Sequence, residues 1–241
     1  MVYKRDTQWQ GYGQMSRERV FDNGRKRVTS LAAAIEAHTG SALESRRALD
    51  FGCGVGRVAL PLAERCEHVY GLDVSPSVLR EADSNARRMN LTNVEWVDAG
   101  RLAELSGCYD LVLSLHVFQH IPARKGERIF ATLVRGLRPG GVGFINLILR
   151  PSHPLARLFR WTWRSPRAAR PRRKSVRSAY NPLSLVRVWD LSYLYMLMNS
   201  YSLNRLGRLL ADAGVTDWHV QFNPGPTGRS FDAVAIIFRK D

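Results

Sequence analysis

Between Arg46 and Leu149 five short apolar runs alternate with helical stretches, and no other feature of the chain constrains its fold as much. "RRALDFG", "HVYGLDV", "NVEWVDA", "YDLVLSLHV" and "GGVGFINLIL" have the length and composition of buried strands. "GRVALPLAERC", "SPSVLREADSNARRMN", "GRLAELSG" and "ARKGERIFATLVRGL" lie between them and read as helices. Pro61 is tolerated in a first turn, Ser75 stands where a cap belongs, and Pro76 occupies a first helical position. The Pro139-Gly140-Gly141 turn is expected ahead of the fifth strand. Crossovers of this length join parallel strands, so the expectation is a parallel sheet with helices on both faces.

The flanks extend this plan. Residues 1–45 read as lead-in helices, with Val20, Val28, Leu31, Ala34, Ile35 and Ala37 at helical spacing and Gly40 as a stop. Residues 46–149 form the core, 150–201 an insertion, and 202–241 a helix with two closing strands. Those strands, "TDWHVQFN" and "DAVAIIFRK", are joined only by the loop "PGPTGRS" and must pair antiparallel. A chain of 241 residues with 45% hydrophobic content can bury a sizeable core. No apolar run reaches the roughly 18 to 20 residues of a membrane span, and "MVYKRDTQWQ" lacks the apolar stretch of a secretory signal, so a cytoplasmic location is expected. Cys53, Cys66 and Cys108 are odd in number and scattered, which suits reduced thiols better than a disulfide framework or a metal knuckle, and no metal is expected.

The first strand runs into "DFGCGVGR", with Gly52, Gly54 and Gly56 directly after Asp50. A turn this bare lets backbone N–H groups approach a ligand closely. The dinucleotide fingerprint G-x-G-x-x-G fails, because Arg57 and not glycine follows Gly56, and the Gly-Lys-Ser/Thr ending of a phosphate loop is missing.

With an acidic residue ahead of G-x-G-x-G, the chain resembles the class I S-adenosylmethionine-dependent methyltransferases. Asp73 at the end of the second strand, Asp98 with Ala99 at the end of the third, and the "LRPGG" stretch from Leu137 to Gly141 extend the resemblance across Ala48 to Leu149. It implies a Rossmann-like, doubly wound, seven-stranded sheet, mostly parallel with a C-terminal antiparallel strand. It also implies S-adenosylmethionine as cofactor. Asp50 would then lie near the cationic methionine part, Asp73 would grip the ribose hydroxyls, and Asp98 with Ala99 would meet the adenine amino group. Cys53, Arg57, Val74 and Ser114 join the glycines as cofactor-binding candidates, and Tyr12, within "WQGYG", is a candidate to close over the cofactor.

Methyl transfer from a sulfonium needs alignment and exclusion of water more than side-chain chemistry. A hydroxyl acceptor must also lose its proton, for which a histidine near neutral pKa serves, and "LHVFQHIP" offers His116 and His120 after the fourth strand. The Asn/Asp-Pro-Pro-aromatic motif of nucleobase amino-methyltransferases is replaced by "SLHV", and no Pro-Cys pair is placed to attack a pyrimidine, so DNA is not an expected partner. The expected activity is methylation, at oxygen, of a small-molecule, saccharide or lipid-linked acceptor. An RNA methyltransferase and a non-catalytic binding protein of the same fold are the alternatives.

The net charge of +15 is concentrated, with 14 Arg and Lys and no Asp or Glu between Arg128 and Trp189. "PLARLFRWTWRSP" puts Leu155, Leu158, Phe159 and Trp163 on one helical face and Arg157, Arg160, Arg164 and Arg167 toward another, and "RAARPRRKSVR" follows. A lid helix with a solvated basic edge, an interfacial helix on anionic lipid, and a polyanion-recognising segment over residues 150–177 are the three readings.

Overall fold

The computed structural model describes residues 17–40, 46–149, 199–222 and 233–241. Tyr12 and the basic segment lie outside them, as does the loop joining the last two strands. Helix α1 (Arg17–Thr39) comes first, followed by β1 (Arg47–Phe51), α2 (Ala59–Ala63), β2 (His68–Asp73), α3 (Pro76–Arg88) and β3 (Val94–Asp98). Then come β4 (Tyr109–Ser114), α4 (Ala123–Gly136), β5 (Leu137–Ile148), α5 (Leu203–Ala211), β6 (Asp217–Phe222) and β7 (Ala233–Arg239). The stretch expected as a short helix after β3 is a 3-10 helix over Ala99–Leu105, and another 3-10 turn, Phe118–His120, follows β4.

Seven strands lie in the order β3-β2-β1-β4-β5-β7-β6. Every pairing from β3 to β5 is parallel, while β7 runs antiparallel to both neighbours, as its short connection to β6 demands. Alternate side chains of each strand enter opposite layers. Leu49, Phe51, Val112 and Ile145 pack with Phe130, Leu133 and Val134 of α4 and with Leu206 and Leu210 of α5. Ala48, Leu111, Leu113 and Phe144 pack with Val28, Leu31 and Ile35 of α1 and with Ala59 and Leu62 of α2. The sheet is therefore doubly wound, with the order reversing between β1 and β4. Ligands of such sheets bind outside the carboxyl ends of the strands at that reversal.

Several local expectations change. Helix α1 stops at Gly40, whose φ of 66° suits glycine and whose N–H bonds back to Glu36 O. Its buried face includes Phe21 and Gly24, whereas Ala37 points outward. Ser75 has the extended backbone of a cap, but its hydroxyl pairs with that of Ser77 at 3.0 Å and bonds no backbone N–H of α3. Pro76 does open the helix. The "LRPGG" turn is not a separate connection. It sits inside β5 as an irregularity where the register against β4 shifts between Tyr109 and Leu111, with Gly140 at φ 75°.

The chain leaves the described core after Leu149 and returns at Asn199. Leu149 and Tyr201 form a parallel bridge, and Tyr201 N donates to Ile148 O at 2.8 Å. The phenol of Tyr201 lies 2.8 Å from both Phe118 O and Ile121 O, the carbonyls that bracket the 3-10 turn carrying His120. Asn199 N and Nδ2 both donate to Gln119 O, at 2.8 and 3.2 Å. The returning strand is thus fastened to the turn that follows β4.

Candidate cofactor-binding site

Asp50 and Phe51 finish β1, Asp73 finishes β2, Asp98 finishes β3 and Ser114 finishes β4. Parallel pairing sets these ends side by side, with Asp73 registered against Asp98 and Phe51 against Leu72. The glycine loop crosses above them. Gly52, Gly54 and Gly56 have φ of 80°, 56° and 87°, conformations that side chains rarely adopt. A Cβ on Gly52 would strike Val117, while one on Gly54 would meet nothing within 4 Å, so the loop is bare toward an open space. A cleft of about 200 Å³ opens there, lined by Asp50, Gly52, Gly54, Arg57, His116 and Val117 among others.

The loop is held at each peptide. Gly52 N and Cys53 N donate to Leu72 O at 2.7 and 2.9 Å, Gly56 N donates to Cys53 O at 3.1 Å, and Gly54 N donates to Asp73 Oδ2 at 3.1 Å. Asp73 Oδ1 accepts from Ser75 N at 3.0 Å. With about four lone-pair sites, the carboxylate keeps acceptor capacity beyond these backbone donors. Burial raises its pKa, opposed by the N–H groups of Ser75, Gly54 and Val74.

Asp50 is 3% exposed. It accepts from Ala59 N–H, yet its Oδ2 has no hydrogen-bond partner. Desolvation lifts its pKa to about 7, against the attraction of Arg57. A half-satisfied buried carboxylate on the wall of a glycine-lined cleft is the chemistry expected where a cation docks. Val74, directly after Asp73, is 76% exposed, an apolar surface beside that carboxylate. Asp98 is exposed and its Oδ1 accepts from Gly100 N at 2.7 Å, so it caps the 3-10 helix that begins at Ala99. The chemistry of these residues is compatible with S-adenosylmethionine, for which Asp50 would serve the cationic amino-acid part and Asp73, Val74, Asp98 and Ala99 the nucleoside.

Cys53 lines the same cleft, but burial, then Asp50 and Asp73, push its thiol pKa well up, so it is a packing group and not a nucleophile. Ser114 is wholly buried, and its hydroxyl donates to Phe51 O at 3.0 Å, bracing the entry to the loop.

The two histidines separate. His116 lines the cleft, with φ 58°, a left-handed backbone uncommon outside glycine. Its pKa is lowered by desolvation first and then by Arg57, Arg27 and His120, so the imidazole is neutral at pH 7 and able to accept a proton. His120, exposed like His116, stands 3.4 Å from Gln119 Nε2 and lies outside the cleft lining.

Asn85 was not anticipated from the sequence. It is 2% exposed and its Nδ2 donates to Val55 O at 3.1 Å, reaching the glycine loop from α3. A signal existed, since Val78, Ala82, Asn85 and Ala86 follow the buried stripe of the helix and a polar residue there needs a partner.

A carboxylate-edged glycine loop thus stands at the reversal point of a sheet with one antiparallel strand, an arrangement that resembles the class I S-adenosylmethionine-dependent methyltransferases. Residues 48–141 match the family model described as a methyltransferase domain. The ubiquinone biosynthesis O-methyltransferase of Rhizobium etli is 33% identical over 109 residues, 45% of this chain and 43% of that protein. The enzyme of the same name from Burkholderia ambifaria is 35% identical over 119 residues, 48% of this chain and 49% of that one. The chain thus spans about half the length of the curated relatives it matches. Among solved structures, magnesium protoporphyrin IX methyltransferase from Synechocystis PCC 6803 with bound SAH superimposes with a TM-score of 0.60 at 18% identity, covering 98% of this chain and 94% of that one. Among the described residues no helix is long and apolar enough to cross a membrane.

Proposed function

We propose that this protein transfers a methyl group from S-adenosylmethionine to an oxygen of a small-molecule, saccharide or lipid-linked acceptor. The observation that carries this is the buried Asp50 carboxylate, whose Oδ2 lacks a partner in a cleft walled by bare glycine backbone. The naming of the matched relatives as O-methyltransferases supports oxygen as the acceptor atom.

When bound, the cofactor supplies an electrophilic methyl group on a positively charged sulfur. The chain's part is to hold and orient. Asp73 accepts the ribose hydroxyls, Val74 offers an apolar surface to the purine, and Asp50 faces the cationic amino-acid end. Gly52 and Gly54 keep side chains out of the approach. His116, neutral and on the cleft wall, takes the proton from the acceptor hydroxyl, and His120 stands behind it on the turn held by Tyr201.

The test has two stages. Calorimetric titration with S-adenosylhomocysteine should show one saturable site. Incubation with radiolabelled methyl donor and cell extract fractionated into lipid, glycan, RNA and small-molecule pools should then label a lipid, glycan or small-molecule pool. Label confined to RNA, or absence of nucleoside binding, would refute the assignment.

A further inference from the structure

The glycine loop is held by two buried side chains that lie outside the cleft lining. Among the described residues only Asp50, Asn85, Ser114 and Asn146 are buried and polar. Ser114 donates to Phe51 O just before the loop, and Asn85 donates to Val55 O within it. Val55 lies between Gly54 and Gly56, two left-handed glycines whose freedom would let the intervening peptide rotate. Its carbonyl has a donor only because Asn85, on the inner stripe of α3, reaches across. A carbonyl can only accept, which fixes Nδ2 and not Oδ1 as the contacting atom.

Helix α3 has a second attachment to the site. It begins at Pro76, directly after Ser75, whose N–H binds Asp73 Oδ1, and the other oxygen of Asp73 holds Gly54 N. One helix therefore controls two successive peptides of the loop, Gly54 through Asp73 and Val55 through Asn85.

We infer that Asn85 is a positioning residue for the cofactor's amino-acid end, acting through the Val55 carbonyl to hold the Gly54–Gly56 backbone in its binding shape. This rests on the cofactor assignment proposed above. The cleft of about 200 Å³ beside the loop is smaller than the roughly 300 Å³ at which whole small-molecule sites begin. It accommodates the amino-acid end, while the nucleoside lies along the tips of β2 and β3. Loosening the loop should therefore cost the amino-acid end more than the nucleoside.

The experiment compares S-adenosylhomocysteine with 5′-methylthioadenosine, which lacks the amino-acid portion, by calorimetry on wild type, Asn85→Leu and Asn85→Ala. If the wild type binds neither ligand, the cofactor assignment itself fails, and this inference with it. If it binds, the expected result is a rise of about tenfold in the Kd of S-adenosylhomocysteine in both variants, with a rise below about threefold for 5′-methylthioadenosine. Unchanged affinity for S-adenosylhomocysteine, or equal losses for both ligands as general loosening of the fold would give, overturns the role. The leucine variant keeps the side-chain volume, and a measurement on the wild type alone guards against variants that do not fold. Saturation with S-adenosylhomocysteine should slow exchange of the Asn85 carboxamide protons by about tenfold or more, as a tightened loop requires. Unchanged exchange overturns the assignment.

Discussion

The carboxylate of Asp73 accepts the backbone N–H of Gly54 at 3.1 Å, joining the end of β2 to the middle of the glycine loop. This single contact makes Asp73, the acid proposed to meet the ribose, part of the loop's support as well.

Replacing Asp73 with alanine removes the acceptor for the ribose and releases Gly54 N at once. Affinity for S-adenosylhomocysteine should fall by one to a few kcal/mol, about 10-fold or more, on the scale of lost charge-assisted hydrogen bonds. Calorimetry reads this directly, and unchanged affinity would remove Asp73 from the site.

Asp50 makes the ligand-free protein pH-sensitive in a defined direction. Its pKa of about 7 lies above the unfolded value, so between about pH 4 and 7 the folded chain keeps a proton that the unfolded chain has lost. Stability contributed by this group is therefore present at low pH and disappears as pH rises through 7. Asp50→Asn should raise the thermal midpoint at pH 8, by about 2–4 °C per kcal/mol recovered, and raise it less at pH 5. A cationic ligand end favours the ionised carboxylate, so wild-type affinity for S-adenosylhomocysteine should weaken from pH 8 to pH 6 and the asparagine variant should lose that dependence. A wild type with flat affinity over this range would separate Asp50 from the ligand.

His116→Ala should cut methyl transfer to the labelled extract pool by roughly 10²-fold or more while leaving affinity for S-adenosylhomocysteine alone. His120→Ala should cost less, since His120 lies outside the cleft lining. Equal activity in both single variants and the double variant would leave the reaction without a histidine base.

Gly126 and Tyr201 provide a test of the clamp on the post-β4 turn. A Cβ on Gly126 would run into the Tyr201 hydroxyl, which holds Phe118 O and Ile121 O. Alanine is ordinarily the better helix former by about 1 kcal/mol, so a net destabilisation by Gly126→Ala would have to come from that collision. The expected loss is about 1–3 kcal/mol. Chemical denaturation of the double variant with Tyr201→Phe should show a smaller cost for Gly126→Ala than the wild-type background does. Additive costs would mean that the two residues act separately.

Most of the sheet could be read from the chain, because apolar runs with short crossovers admit few topologies. The acids at the strand ends were legible for the same reason. Asp50, Asp73 and Asp98 stand where a strand stops, and a polar residue there marks the edge on which loops and ligands sit. What escaped was decided by partners far away in sequence. The partner of the Ser114 hydroxyl, Phe51 O, is set by the packing of β4 on β1. Ser75 had the identity and backbone of a cap, yet its hydroxyl turned to Ser77. Gly24 in α1 was indistinguishable from a weak helical residue until α1 docked, where a Cβ would collide with Arg57 O.

The bridge between Leu149 and Tyr201 has an entropic corollary. Because the two ends of the intervening stretch are already fastened next to each other, closing a longer or shorter stretch costs little extra entropy, about 0.6 kcal/mol per doubling. A change in the length of that stretch therefore leaves the junction between β5 and the turn after β4 intact.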